Sequence, residues 1–402
     1  MNEPKLRFKA DDGGKFPDWE EKKLGDITEK VVRKNEKSNA DVRMISQGNG
    51  FILQSDKYSR ENAGQSLKKY TLLKRSEFAY NHGASKVKPY GVCYRLCESD
   101  EARVPYVYHT FRLIEGDSDF WNYSLNTSYM DRQLKKMVSS GARMDGLLNI
   151  SYDAYMSVNI HAPSLPEQQK IAEFLSTIDT VIEKQKETVF AWEERKKGMM
   201  QKLFSQKVRF KTDDGSEFSE WEKKPFGDVV SEFKVKTKVE DEDTLLSCAI
   251  NGVFLNSELF DHQRGQSNIG YLKIKKGTLI LSAQNLHLGN ANVNLRFEHG
   301  IISPAYKTYD IVGCSAEYMS QWVKWDMTKQ FFYNATTVGA SECRRNVDWN
   351  MLYSQLLPIP CLAEQQKIAD CLSSLDEVIE KQKATLAAWK EMKKGLLQQM
   401  FV

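Results

Sequence analysis

Six histidines stand at positions 82, 109, 161, 262, 287 and 299, and seven cysteines at 93, 97, 248, 314, 343, 361 and 371. No two cysteines have the C-x-x-C spacing of a zinc site or redox dithiol, and the histidines show no i, i+4 ligand spacing. Reduced thiols and structural or solvated imidazoles account for both sets. The sequence has no G-x-x-x-x-G-K-[ST] phosphate loop, H-E-x-x-H, calcium-binding loop or G-x-S-x-G. No two prolines are adjacent and no F-x-G-x-G loop occurs, so the motifs of an amino-methyltransferase are absent too. No metal ligand set and no catalytic residue is read in this chain.

What remains are side chains that read rather than react. Asn, Gln, Arg and Lys can reach or bidentately pair the base edges exposed in a DNA major groove. Such residues recur in loops at matching places of the two halves. In the first half the candidates are Ser46, Gln47, Asn49, Asn81, His82, Ser85, Lys86, Lys88 and Arg143. In the second they are Ser247, Asn251, Arg264, Gln284, Asn285, His287, Arg344 and Arg345. Basic residues with aromatics between them surround these loops: Lys68, Lys69 and Tyr70; Arg132, Lys135 and Lys136; Lys234, Lys236 and Lys238; Lys273, Lys275 and Lys276. Patches of that kind suit phosphate neutralisation.

The elements that position these loops follow from a duplication. E-Q-Q-K-I-A occurs at 167–172 and again at 364–369, and from there 24 of 38 aligned pairs are identical without a gap, at an offset of 197. Identity that high without a gap is duplication. A weaker echo at an offset of 202 links R-F-K-A-D-D-G-G-K-F-P-D-W-E at 7–20 to R-F-K-T-D-D-G-S-E-F-S-E-W-E at 209–222. Tyr108-His-Thr-Phe111 likewise answers Tyr306-Lys-Thr-Tyr309. After Phe204 the chain continues into V-R-F-K, whereas after Phe401 it stops at Val402 and the matching L-R-F-K opens the N-terminus. The repeat is circularly permuted, which predicts that the termini lie close together.

Within each conserved block the apolar residues step by four and three. Positions 171, 175, 178, 182, 185, 189, 192, 196, 199 and 203 form a heptad seam that only Gln185 and Lys196 interrupt, and Gln382 and Lys393 repeat both interruptions. Ile171, Leu175, Ile178, Ile182, Val189, Trp192, Met199 and Leu203 should face Ile368, Leu372, Leu375, Ile379, Leu386, Trp389, Leu396 and Met400. Each block then reads as a helix of about 38 residues, roughly 57 Å long at 1.5 Å per residue. The two helices should pair as an antiparallel coiled coil, related by a pseudo-two-fold axis, with the polar layers pinning the register. The variable modules would then sit at opposite ends of a rod.

The fold class is therefore α+β: two mixed α/β modules separated by two long helices. The boundaries read as 1–160 for the first module, 161–206 for the central helical region, 207–360 for the second module and 361–402 for the C-terminal helical region. The modules should contain short strands such as 51–53, 104–111, 278–281 and 305–312, with a helix near 123–137 in the first and 316–332 in the second. The 402 residues are 41% hydrophobic and 28% charged, which is globular composition and excludes disorder and collagen. A net charge of +3 neither demands nor excludes a polyanionic partner. The N-terminus lacks an apolar signal core and no run approaches 18 apolar residues, so a cytoplasmic protein is expected.

This pattern resembles the specificity subunit of type I restriction-modification systems. The resemblance spans essentially the whole chain and rests on two variable modules alternating with two conserved helical regions, on the circular permutation, and on E-Q-Q-K-I-A following Pro163 and Pro358. Ser303-Pro304-Ala305-Tyr306 is similar to a recurring strand of such modules, where the first half has Val104-Pro105-Tyr106. The resemblance implies a non-catalytic DNA reader for host defence. Each module would be a target-recognition domain reading one half of a bipartite target, and the paired helices would set the spacer. The same helices would dock two methyltransferase (modification) subunits, which bring S-adenosylmethionine. Restriction (endonuclease and translocase) subunits would bring ATP and Mg. Four residues inserted near Lys184, a turn of about 5.4 Å, should alter the spacer by about 1.6 base pairs and leave the half-sites alone. The rival from another class is a coiled-coil interaction scaffold that binds no DNA, and it predicts no salt-dependent affinity for nucleic acid.

Overall fold

The structure, a computed structural model, describes residues 4–34, 38–46, 48–58, 64–83, 88–138, 148–260, 267–341 and 344–401, with backbone only for 64–66, 338–341 and 344. The chain divides into two compact units. Unit 1 comprises Met1–Lys186 and Thr385–Val402, and unit 2 comprises Glu187–Ala384. Each unit therefore owns half of each long helix.

Unit 1 runs through β1 (Glu20–Lys23), β2 (Thr28–Lys30), β3 (Arg43–Ser46), β4 (Gly50–Leu53), α1 (Gln54–Lys57), β5 (Thr71–Lys74), β6 (Phe78–Asn81), β7 (Val92–Arg95), β8 (Glu101–Val104) and β9 (His109–Leu113). Then come α2 (Ser118–Ser124), α3 (Ser128–Met137), α4 (Tyr152–Met156), β10 (Asn159–Ala162) and the start of α5 (Leu165–Phe204). Unit 2 repeats the order with β11 (Glu222–Pro225), β12 (Val230–Phe233), β13 (Leu246–Ala249), β14 (Gly252–Leu255), α6 (Asn256–Leu259), β15 (Leu272–Lys275), β16 (Leu279–Ser282), β17 (Ala291–Val293), β18 (His299–Ile302) and β19 (Tyr306–Ile311). It closes with α7 (Ala316–Trp322), α8 (Asp326–Asn334), β20 (Thr336–Ser341), β21 (Arg344–Val347), α9 (Trp349–Ser354), β22 (Leu356–Ile359) and the start of α10 (Leu362–Met400).

Apart from the β20-β21 pair of unit 2, the described sheets match strand for strand. A four-stranded antiparallel sheet runs β2-β9-β6-β7 in unit 1 and β12-β19-β16-β17 in unit 2, and each unit adds the pairs β1-β10, β3-β4 and β5-β8 or β11-β22, β13-β14 and β15-β18. β6 is buried along Phe78, Ala79 and Tyr80 because helices and a second sheet cover both of its faces. Helix starts are fixed by side-chain caps: Asp117 accepts from the Phe120 N–H and Ser315 from the Tyr318 N–H.

The long helices run without a break, and each joins two kinds of packing. In unit 1 the buried Ile171, Leu175, Ile178 and Ile182 of α5 share one core with Phe78, Phe111, Phe120 and Trp121, and Met400 of α10 closes it, with Leu386, Trp389 and Leu396 against its edge. In unit 2 Met200, Leu203, Ile368 and Leu372 share a core with Phe226, Leu281, Tyr309 and Trp322, and Met199 and Leu375 pack against it. Val189 and Ile379 are buried and Trp192 is half-buried. The helices thus pack on each other and on the modules at once, where the sequence suggests mutual pairing alone.

The pairing is antiparallel. In unit 2 Lys383 meets Glu193 at 3.0 Å while Lys196, three residues further along α5, meets Asp376 at 2.6 Å, seven residues earlier in α10. In unit 1 Lys393 pairs with Asp179. The polar interruptions Lys196 and Lys393 are therefore one repeated interhelical ion pair.

Two expected elements differ. The helix near 123–137 is the pair α2 and α3, and its counterpart is α7 and α8, because Thr127 and Trp325 take extended backbone. The break lets Asn126 turn onto β7, where its amide accepts from the Cys93 N–H and donates to the Cys93 carbonyl. The run 104–111 is a strand end, a turn closed by Tyr108 N–H to Pro105 O at 3.0 Å, and a new strand. Residues 303–305 form the same turn in unit 2, with Tyr306 N–H on Ser303 O, rather than the strand that resemblance suggests.

Candidate functional site

The duplicated E-Q-Q-K motif builds the frame for each unit's loops. Glu167 is fully buried and takes a two-pronged bond from Arg7, at 3.0 and 2.9 Å. Glu364 takes the same fork from Arg209 at 3.1 and 2.9 Å and a further bond from Trp221 Nε1 at 3.0 Å. The next residue ties helix to module. Gln168 accepts the Asp117 N–H and donates to Pro163 O, while Gln365 accepts the Ser315 N–H and donates to Pro360 O, all at 2.7 to 2.8 Å. Lys170 then reaches Lys9 O and Asp11, as Lys367 reaches Lys211 O and Asp213. Gly116, at φ +95°, makes the close approach possible: a Cβ there would lie 2.5 Å from Trp121 Nε1 and 2.9 Å from Gln168 Oε1.

The permuted ends are equivalent. Leu6 N–H bonds Gln399 O at 3.0 Å in unit 1, and Val208 N–H bonds Lys202 O at 3.2 Å in unit 2. The N-terminal segment therefore lies on the end of α10 as its copy lies on the end of α5.

On this frame two of the candidate loops join corresponding strands in each unit, and a third is described in unit 2 alone. The first is the tip of β3-β4 or β13-β14, where Asn49 and Asn251 are exposed. Tyr108 and Tyr306 hold these hairpins from behind, one hydroxyl accepting the Ile45 N–H and the other donating to Cys248 O. The second is the connection from β6 to β7 or from β16 to β17, where Gln284 and Asn285 are exposed and His287 half-buried. Lys324 fastens the two loops of unit 2 together, its ammonium donating to Ile250 O, Ala291 O and Asn292 Oδ1 at 2.6 to 2.8 Å, and burial pulls its pKa down to about 8. The third loop is the β20-β21 hairpin of unit 2.

Several candidates hold the loops together instead of facing outward. His82 is buried and its Nδ1 bonds Leu148 O at 3.0 Å, while Leu148 N–H bonds His82 O. Lys88 donates to Asn126 O, Ser247 accepts from Asn256, and Arg345 bonds Thr336 twice and lies 4.1 Å over the Tyr333 ring. Ser46 and Asn81 act locally, Ser46 accepting from Asn49 and Asn81 from the Gly83 N–H. Gln47, Ser85, Lys86, Arg143 and Arg264, and the side chain of Arg344, lie outside the described residues.

One basic patch is neutralised. Lys273 pairs with Glu242, Lys275 with Asp310 at 2.9 Å and Lys276 with Glu298 at 2.9 Å, because β15 lies among acidic neighbours in the fold that the sequence places far away. Arg7, Arg209, Tyr108, Tyr306, Asn126 and Lys324 carry the frame, and the only sequence sign of the first four is that they recur with the duplicated motifs. Among the described residues, no group of three or more His, Cys, Asp or Glu is placed to hold a metal ion. The exposed tips present amide donors and acceptors on a braced backbone, an arrangement suited to hydrogen-bonded reading of a polar surface.

No family model matches the chain. The type I restriction enzyme MjaVIII specificity subunit of Methanocaldococcus jannaschii is 24% identical over 281 residues, covering 65% of this chain and 63% of that protein. The match thus spans less than two thirds of the relative's length. A crystal structure of the S subunit of a type I restriction-modification system from M. genitalium superposes with a TM-score of 0.53 at 14% identity, over 100% of this chain and 99% of that one. A chain from a structure describing complex assembly and conformational transition of the type I system gives 0.53 at 13% identity, over 96% and 98%. The fold is that of these S subunits.

Proposed function

We propose that this chain is the specificity subunit of a type I restriction-modification enzyme, a DNA reader without catalysis of its own. Each unit reads one half of a bipartite target, and α5 with α10 sets the spacer between the halves. The same helices dock two methyltransferase subunits. S-adenosylmethionine, ATP and Mg belong to the modification and restriction subunits, and the complex works in the cytoplasm. One observation carries this reading: two units keep the same frame, down to the Arg–Glu–Gln clamp, while the sequences of corresponding loops differ, N-H-G-A-S-K at 81–86 against S-A-Q-N-L-H at 282–287. A scaffold for identical partners has no need of that difference. Similarity to a curated specificity subunit supports the same reading. No described helix is long and apolar enough to cross a membrane, in keeping with the proposed location.

The test is adenine-methylation mapping in a host without other such systems, with the modification subunit co-expressed. A new bipartite motif methylated only when this chain is present is the expected result. With the modification subunit bound and competent, the absence of any new motif would leave the scaffold reading in its place.

A further inference from the structure

Unit 1 carries a basic concavity on α3. Tyr129, Arg132, Gln133, Lys135 and Lys136 of α3 line it with Asn159 of β10. Its floor is fixed by a two-way bond, Gln133 Nε2 to Asn159 O and Asn159 N–H to Gln133 Oε1, each 2.8 Å. The nearby Glu21 carboxylate is engaged by Asn159 Nδ2 at 2.6 Å. Arg132, Lys135 and Lys136 are exposed, and among the described residues none has a carboxylate within ion-pair distance. Among the described residues Arg132 meets Ser128 Oγ at 3.5 Å and the Tyr129 ring at 5.7 Å, both on its own helix. This sets them apart from Lys273, Lys275 and Lys276, each of which has an acidic partner.

The spacing i, i+3, i+4 puts all three charges on one helix face, where like charges repel and weaken the helix. Cations near a helix C-terminus do favour the dipole. The helix has no need of them, however: α8 occupies the same place in unit 2 with no basic residue in its last turn. Gln330, Tyr333 and Asn334 stand there where unit 1 has Arg132, Lys135 and Lys136.

We infer that this face of α3 binds the phosphates of duplex DNA beside the half-site that unit 1 reads. The inference rests on the DNA-reading proposal above and adds an asymmetry to it. Phosphate contacts hold the duplex without selecting its sequence. The contacts from this face belong to unit 1 alone, so the two ends of the target are gripped unequally.

The experiment measures affinity of the full chain for two duplexes, one bearing the methylated motif and one lacking it, over a series of salt concentrations. The variant Arg132→Gln/Lys135→Tyr/Lys136→Asn installs the residues that the equivalent helix of unit 2 already accommodates, and a triple alanine variant serves as a second. Each neutralised phosphate contributes about 0.9 to the slope of log affinity against log salt. The expected result is a slope shallower by about 2 to 3 for both duplexes, with the methylated motif unchanged. An unchanged slope in both variants, with the wild-type chain binding DNA in a salt-dependent way, would overturn the inference and leave the reader proposal intact. A wild-type chain without salt-dependent binding would defeat both. A motif altered at the unit 1 half-site would assign these side chains to base reading and also overturn it.

Discussion

At the scale of single residues, the Arg–Glu clamp is where the fold is most exposed to damage. Glu364 has no solvent access and its charge is met by Arg209 and Trp221. Removing Arg209 strands a buried carboxylate, so Arg209→Met should destabilise unit 2 by about 3 to 5 kcal/mol, and Arg209→Met/Glu364→Leu should recover much of that. Urea unfolding of the three proteins checks both signs; a double variant as unstable as the single would show that the pair does more than neutralise itself. His109 gives a second prediction. Its Nε2 bonds Ile150 O at 2.9 Å, its ring lies 4.9 Å from that of His82, and burial lowers its pKa below the ordinary 6.5. A depressed folded pKa means stability that is complete above pH 6.5 and lost as pH falls through the folded value. Thermal unfolding should therefore weaken on acidification from neutral pH, and His109→Gln, which keeps a donor but cannot titrate, should flatten that decline. Equal slopes in the two proteins would remove His109 from the account.

At the scale of elements, the seam separates residues that look alike in composition. Leu372 is fully buried at a heptad position, whereas Phe190, one residue beyond the seam on α5, is 64% exposed. Leu372→Ala should cost about 2 to 5 kcal/mol and Phe190→Ala less than about 0.5, by chemical denaturation. These helices were legible because a period of 3.5 depends on spacing alone, and spacing is local. The strands around 104–111 were not, since whether Pro105 bends a strand or ends it depends on Tyr108 reaching back to Ile45, a contact across 63 positions. The same limit governs the candidate site. His82 and Arg345 have the chemistry of base readers, yet a long-range bond to Leu148 O engages the imidazole Nδ1 and two local bonds to Thr336 hold the guanidinium through Nε and Nη2. Asn251, Gln284 and Asn285 stay exposed because they fall at tips, and turn position can be read from Gly252 and from the Asn-rich stretch 285–294. The identity of a loop is thus visible in sequence, but which of its side chains faces outward is decided by the frame behind it.

At the scale of the whole molecule, reading and spacing should separate. If the loops read and the helices measure, then Gln284→Ala/Asn285→Ala should relax one half-site and leave the other half and the spacer as they were. The complementary change belongs to the helices. Contrary to the expectation from sequence for an insertion near Lys184, four residues added to α5 alone would slide it about one turn along α10 and set the Lys196–Asp376 pair against Lys393–Asp179, since both cannot be kept when only one partner lengthens. One heptad added after Lys184 and one after Lys381 keeps the seam on both helices and returns both ion pairs to register. Seven residues extend a helix by about 10.5 Å, close to three base pairs at about 3.4 Å each. Methylation mapping should then show the two original half-sites separated by a spacer about three base pairs longer. An unchanged spacer with a stably folded variant would mean that the helices hold the units without measuring the target, and altered half-sites would mean that the frame and the reading loops are not independent.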